Sequence, residues 1–264
     1  MAGYYYPADP ETLRDTVRSL IHLEVGQAPR AARGLIVPHG SFRHAGAVLG
    51  STFAGLMIPR RCIIVAPSHT GSWGPWSLPS AGAYRTPLGD VPIDEACADM
   101  VRRRCPFLED DSALQQGEQA IEVLLPFLQQ SGPSGLTIVP LIGGSTDREQ
   151  WADVSRALAH VIRMHEEPVL LIASSDLSHY QPYEQTMACD RMLLEAMRGL
   201  AGEALLRVVD QHRFVMCGAL AVACVLDATK ALGATQATLR AYTTSAEGGG
   251  DLHAAVGYAG VVIE

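Results

Sequence analysis

Several things are scarce in this 264-residue chain, and each scarcity excludes something. Basic residues are outnumbered, with 20 Lys and Arg against 28 Asp and Glu, a net charge of −8. A sequence-general grip on nucleic acid needs a basic surface, and so does adsorption to an anionic membrane, so neither partner is expected. Long apolar runs are missing. The longest candidate, Gly218 to Leu226, stops at Asp227, well short of the roughly 18–20 residues that cross a bilayer. Paired cysteines are missing as well. None of Cys62, Cys97, Cys105, Cys189, Cys217 and Cys224 forms a CxxC, which argues against a zinc ribbon or a thioredoxin-type site. The opening MAGYYYPADP has neither the basic nor the apolar region of a secretory signal, so the expected location is the cytoplasm. There thiols stay free, and most of the cysteines are expected to be small buried apolar residues.

What is present reads as ordered and globular. Hydrophobic residues make up 48% and charged residues 18%, and neither a repeat nor a linker divides the chain, so one domain over residues 1–264 is expected. Short apolar runs bounded by turn residues stand at Gly34–Pro38, Cys62–Pro67, Leu136–Pro140 and Pro168–Ser174. They fit interior strands covered on both faces. Helical patterns fill 94–104, 118–130, 147–165, 184–200 and 217–232, the third with Thr146 and Asp147 as cap candidates. Segments 240–244 and 254–263 read as late strands, and Ser72–Pro92, rich in proline, glycine and aromatics, as a long loop or hairpin near the site. The alternation predicts an α/β fold with a mostly parallel central sheet flanked by helices.

Polar segments follow the strand signals directly: Pro38-His39-Gly40-Ser41, Pro67-Ser68-His69-Thr70-Gly71 and Ser174-Ser175-Asp176-Leu177-Ser178-His179-Tyr180. A fourth, Glu118-Gln119, follows the stretch 110–116, read as extended, and opens a helix. The carboxyl ends of parallel strands line the ligand crevice of such sheets. A single histidine at a strand end is more often structural than a ligand, but three in separate loops point to a shared pocket. Neutral imidazoles with one anionic ligand suit Fe, Cu or Zn and leave positions open. Cys217 sits at the start of a helix, where the dipole favours the thiolate that ligates metal; packing against neighbouring helices is the plainer explanation of the residue taken alone. Asp176 can orient His179 or a metal-bound water, or merely cap a turn. Tyr180 can donate to an anionic intermediate, or pack.

These motifs, in order, resemble the Memo family. VPHGSFRHAG is similar to its VPHAGY segment, APSHTG to GPSH, and GEQAIEVLLPFL to EHSIEVQLPFL. SSDLSHY matches as it stands, CGALA resembles the family's CG helix start, and YTTS with VGYAG resembles its closing strands. The likeness spans nearly the whole chain, from GYYYPADPETL onward. Bacterial and archaeal members are called AmmeMemoRadiSam system protein B. The resemblance implies a fold similar to class III extradiol dioxygenases, which hold Fe(II) by two histidines and a glutamate, with a cysteine in the glutamate's place. It implies metal ligation by His39, His69 and Cys217, acid/base work by His179 beside Asp176, and a substrate wall of Glu118, Gln119, Tyr180 and Phe42.

The chain departs from the family pattern at Gln119, where the family has a histidine that can carry a proton. At Phe42 an aromatic hydroxyl is lost, and the family's tight Ser-Gly-Asp is expanded to Ser245–Asp251. The expected function is therefore an Fe(II)-dependent dioxygenase-like oxidoreductase acting on a small chelating, phenolic or related substrate. The alternatives are a metal-binding redox protein or a protein-interaction module without turnover, with copper or zinc as the other metals and a zinc hydrolase as a weaker enzyme reading.

Overall fold

The computed structural model describes residues 1–21, 29–70, 76–143 and 148–264. The chain opens with α1 (Pro10–Leu20), capped by Asp9, whose carboxylate accepts from Thr12 N–H, with a proline in the first turn. Then follow β1 (Gly34–Val37), α2 (Phe42–Phe53), β2 (Arg61–Pro67), the hairpin β3 (Ala83–Thr86) and β4 (Gly89–Pro92), and α3 (Glu95–Arg104). Three short helices come next, α4 (Ser112–Gln116), α5 (Gln119–Glu122) and α6 (Leu125–Ser131). The second half holds β5 (Thr137–Gly143), α7 (Arg148–Met164), β6 (Val169–Ser174), β7 (His179–Gln181), α8 (Tyr183–Arg198), α9 (Gly202–His212), α10 (Ala219–Ala231), β8 (Ala237–Thr244) and β9 (Ala255–Ile263).

The central seven-stranded sheet has the order β5-β2-β6-β1-β9-β7, with β8 also on β9. The pairs β5–β2, β2–β6 and β6–β1 are parallel, and β9 runs antiparallel to β1, β7 and β8. The expected α/β architecture is therefore present, as a mixed sheet whose parallel half carries the four apolar runs. β1 and β6 are buried along their whole length. Alternate residues feed opposite faces, as strand geometry requires. Ile36, Ile63, Val139 and Leu171 pack with Trp151, Val154 and Leu158 of α7 and with Val222 and Val225 of α10. Leu35, Ile64, Ile138 and Ile172 pack on the other side with Leu13 and Val17 of α1, Leu49 and Phe53 of α2, and Phe127 of α6.

Some expectations are corrected. The helix read over 118–130 is split into α5 and α6, because Pro126 lacks the N–H that a continuous helix needs and instead stands in the first turn of α6. The stretch 110–116 is not extended, since Ser112–Gln116 form α4. The read loop Ser72–Pro92 ends in the β3–β4 hairpin, while its first residues, and the cap candidates Thr146 and Asp147, lie outside the described residues. The helices α1, α2 and α9 carried no sequence reading. Among the described residues, no helix is long and apolar enough to cross a membrane.

Candidate metal centre

β1, β2 and β6 are parallel neighbours, so their carboxyl ends open on one edge of the sheet. His39 stands two residues past β1, His69 two past β2, and Asp176 two past β6. His179 is farther along, at the first position of β7 rather than at the end of an interior strand. An isolated bridge between Ser178 and Met216 brings the next residue, Cys217, to the same place. One ligand atom from each of His39, His69 and Cys217 lies within 4.8 Å of the others, and the same holds for Asp176, His179 and Cys217. The sequence reading thus placed its three histidines, its aspartate and its cysteine in one pocket, and the structure brings them together.

Each histidine is held by its Nδ1, which leaves the other ring nitrogen for chemistry. Ser174 Oγ donates its single proton to the Ala120 carbonyl at 2.6 Å, so it must accept from His39 Nδ1–H at 2.8 Å. His39 Nε2 therefore carries the lone pair and faces Cys217 Sγ at 3.3 Å. His69 donates its backbone N–H to Glu118 Oε2 at 2.5 Å and its Nδ1–H to Glu118 Oε1 at 2.8 Å, and Ala120 N–H adds a third bond to Oε1 at 2.9 Å. The short α5 thus orients both imidazoles, His69 through its N-cap Glu118 and His39 through Ala120 and Ser174. Fixing tautomer and ring direction from behind is the usual support for metal-ligating histidine. His179 Nδ1–H donates to the Leu177 carbonyl at 2.9 Å, with the Val215 carbonyl at 3.2 Å. The His39 and His69 rings meet edge to face, their centroids 4.9 Å apart.

Asp176 accepts the His39 backbone N–H at 2.9 Å on Oδ1, leaving Oδ2 3.9 Å from His39 Nε2. Gly218, the N-cap of α10, is obligatory here: a Cβ would sit 2.5 Å from the Ser174 carbonyl oxygen. Without that close approach Cys217 could not reach the strand-end loops. Behind the site, Asp190 of α8 is fully buried. It accepts the Ser178 N–H (2.9 Å) and hydroxyl (2.7 Å) on Oδ1 and the Tyr242 hydroxyl (2.8 Å) on Oδ2. It anchors the loop that presents Asp176 and His179.

The electrostatics divide the groups. Burial holds His39 below its ordinary value, against the opposing pull of Asp176, so it stays neutral and able to ligate. Burial pulls His69 down too, but the Glu118 carboxylate outweighs it and leaves His69 raised. Glu118 is pushed up by burial, yet its bonds to His69 and Ala120 leave it lowered. The expectation for Cys217 is corrected: it stands one residue ahead of the α10 cap, and burial, with the Asp176 charge, pushes its thiol well up rather than toward thiolate. A protonated thiol can donate to His39 Nε2, and a cation arriving between the two would displace that proton.

The proposed substrate wall is rearranged. Glu118 is 1% exposed, with both oxygens engaged by His69 and Ala120, so it orients His69 instead of lining the pocket. Phe42 is buried, its ring between Tyr6 and Phe127 in the core. Gln119 is half-buried at the start of α5. Tyr180 is 75% exposed, its ring against His179, and takes the left-handed backbone conformation (φ 57°) that non-glycine residues rarely adopt. Sequence reasoning missed Ser174 and Asp190 as supports. It also missed Tyr5, which lies in the field of Glu118 and Asp176, and Tyr258, which lies in that of Asp176 and Cys217. All four belong to segments already singled out, but nothing in their spacing shows where their side chains point.

An α/β sheet whose strand ends gather two tautomer-fixed histidines and a cysteine is a scaffold suited to a single metal ion. The Memo-like protein family model matches residues 1–262, and the chain belongs to that family. A MEMO1 family protein of Methanopyrus kandleri is 33% identical over 273 residues, covering 99% of this chain and 96% of the relative. A MEMO1 family protein of Aquifex aeolicus is 30% identical over 262 residues, covering 99% and 97%. An uncharacterized protein from Escherichia coli K12 shares the fold in its crystal structure, with a TM-score of 0.58, 16% identity, and coverage of 88% of this chain and 99% of that one.

Proposed function

We propose that this chain is a metal-dependent oxidoreductase of the dioxygenase-like kind, holding Fe(II) by His39, His69 and Cys217 and acting on a small chelating substrate, phenolic or related. The observation that carries the proposal is the donor set. Three ligand atoms lie within 4.8 Å of one another, and both imidazoles have their Nδ1–H groups engaged elsewhere. Two nitrogens and one sulfur fit a three-point protein cap that leaves positions for substrate. Copper and zinc satisfy the same donors and are the alternative metals.

When bound, iron supplies a Lewis acid and a one-electron redox centre. The chain's own residues do the rest. His39 and His69 hold the ion from rigid strand ends, and Glu118 and Ser174 keep their rings from turning. His179, its Nδ1–H engaged by the Leu177 carbonyl, offers Nε2 to take a proton from a substrate hydroxyl and return it later. Asp176, grouped with His179 and Cys217, stabilises the imidazolium so formed. A general acid–base group of this kind contributes about 10²- to 10⁴-fold in rate.

A second reading, a metal-binding redox protein without oxygenase turnover, is favoured by Gln119. An amide there hydrogen-bonds but carries no proton. The two part in one experiment: anaerobic purification, metal analysis and nitric oxide EPR, followed by oxygen uptake with a panel of catechols and aminophenols. Iron with a nitrosyl signal and substrate-dependent uptake supports the oxygenase. Iron without uptake on any of the panel supports the second reading, and a protein that binds no metal refutes both.

A further inference from the structure

Tyr258 is a tyrosine whose ring is fixed and whose hydroxyl is idle. It lies on β9, is 5% exposed, and packs with Ala45 and Val48 of α2. Its neighbour Gly257 clamps the loop below: Leu177 N–H donates to the Gly257 carbonyl at 2.8 Å, and Gly257 N–H to the Ser178 carbonyl at 3.0 Å. A Cβ at Gly257 would point at Asp190, so strand alternation sends the Tyr258 side chain to the opposite face, over the turn that follows His39. There Gly40 makes room for it, since a Cβ at Gly40 would stand 2.7 Å from the ring and 3.2 Å from the hydroxyl.

The phenol therefore lies one residue from a proposed metal ligand, and Asp176, Tyr180 and Cys217 all act on it electrostatically. Its hydroxyl bonds to no described residue, yet it is not among the buried unpaired atoms, so it remains open to solvent or ligand. A buried ring with an unspent O–H contributes its packing to the fold and its hydroxyl to something else. Phenylalanine would pack as well.

We propose that Tyr258 is a substrate-binding residue of this site, donating its hydroxyl proton as a hydrogen bond to an oxygen of a bound phenolic or enolic substrate. The assignment rests on the proposed function for the substrate class, but not for the placement of the phenol. The rigid ring costs little entropy on binding, and a donor aimed before the substrate arrives needs no reorganisation. Burial, with the Asp176 carboxylate nearby, pushes the phenol up, so it acts as donor and not as base.

The test compares wild type with Tyr258→Phe, both loaded anaerobically with Fe(II), using 4-nitrocatechol as the probe and its visible absorbance shift as the readout. Metal content and melting temperature are measured on the same samples. We expect Tyr258→Phe to keep its iron and melting temperature and to bind the probe about 10-fold more weakly or worse, the loss of one hydrogen bond to a charged oxygen. Tyr4→Phe, altered at a residue that is 92% exposed and outside the proposed site, should bind as wild type does. Equal affinity in Tyr258→Phe and wild type overturns the proposal and leaves the proposed function standing. A wild-type protein that takes up iron but not the probe overturns the phenolic substrate class, and this role of Tyr258 with it.

Discussion

Replacing Glu118 with glutamine exposes how the site is held. The carboxylate is buried and accepts N–H groups from the His69 backbone, the His69 ring and Ala120. Glutamine has the same shape but only one acceptor oxygen. With its amide nitrogen in the place of Oε2, the His69 backbone N–H loses its acceptor; turned the other way, both the ring N–H and Ala120 N–H do. The first arrangement is the less costly. One orphaned buried donor costs about 1–3 kcal/mol, and the weakening of the two surviving bonds from charge-assisted to neutral adds roughly 1 kcal/mol. The metal-free variant should thus be about 2–4 kcal/mol less stable, well within the ~5–15 kcal/mol of an ordinary domain, so it still folds. Metal affinity should fall by about 10- to 100-fold, because the ring that ligates has lost the group that aims it. Guanidinium unfolding of the metal-free protein gives the first number, and competition for Fe(II) or Zn²⁺ against a chelator gives the second. An unfolding midpoint equal to wild type, or an unchanged affinity despite lowered stability, refutes the coupling between Glu118 and the metal.

Other outcomes follow from the same geometry. Iodoacetamide should alkylate Cys217 before the other cysteines, slowly because burial favours its thiol form, since Cys62, Cys97, Cys105, Cys189 and Cys224 are all buried; bound metal should protect it, as peptide mapping would show. Gly218→Ala places a methyl 2.5 Å from the Ser174 carbonyl oxygen and should destabilise the fold by about 2 kcal/mol or more while weakening metal uptake. Asp94 caps α3 and pairs with Arg61 at 2.5 Å, and these contacts outweigh burial and hold its carboxyl below the ordinary value. A depressed carboxyl contributes stability above its unfolded value, near 3.9, and loses it as pH falls through the folded value. The unfolding free energy of Asp94→Asn from urea titration should therefore lie below wild type by about 1–2 kcal/mol from pH 6 to 8, with the gap closing below about pH 4.

The parallel half of the sheet was legible because buried strands announce themselves as apolar runs bounded by proline, glycine or serine, as in Gly34–Pro38 and Pro168–Ser174. The site residues were legible for a related reason: polar residues placed directly after such runs have nowhere to go but the strand ends. What stayed hidden depends on three-dimensional packing. The α2 pattern is masked by the motif residues at its start, and the apolar spacing of α5 and α6 runs on as one helix across Pro126, which in the fold opens α6. The role of Glu118 was misread as substrate contact, since sequence shows that a carboxylate is near a site but not which way it points. The thiol of Cys217 was expected to feel a helix dipole, whereas burial dominates once the residue stands ahead of the cap. Tyr5 and Tyr258 come from opposite ends of the chain and enter the site only through packing.

The central claim is that His39 and His69 are ligands and His179 a proton carrier. Anaerobic titration of Fe(II) into wild type, His39→Ala, His69→Ala and His179→Ala tests it most directly. The account predicts tight uptake of one ion by wild type, none by the first two variants, and uptake weakened by no more than about 10- to 100-fold in His179→Ala. Loss of iron from His179→Ala as complete as from His39→Ala would contradict it and make His179 a ligand in its own right.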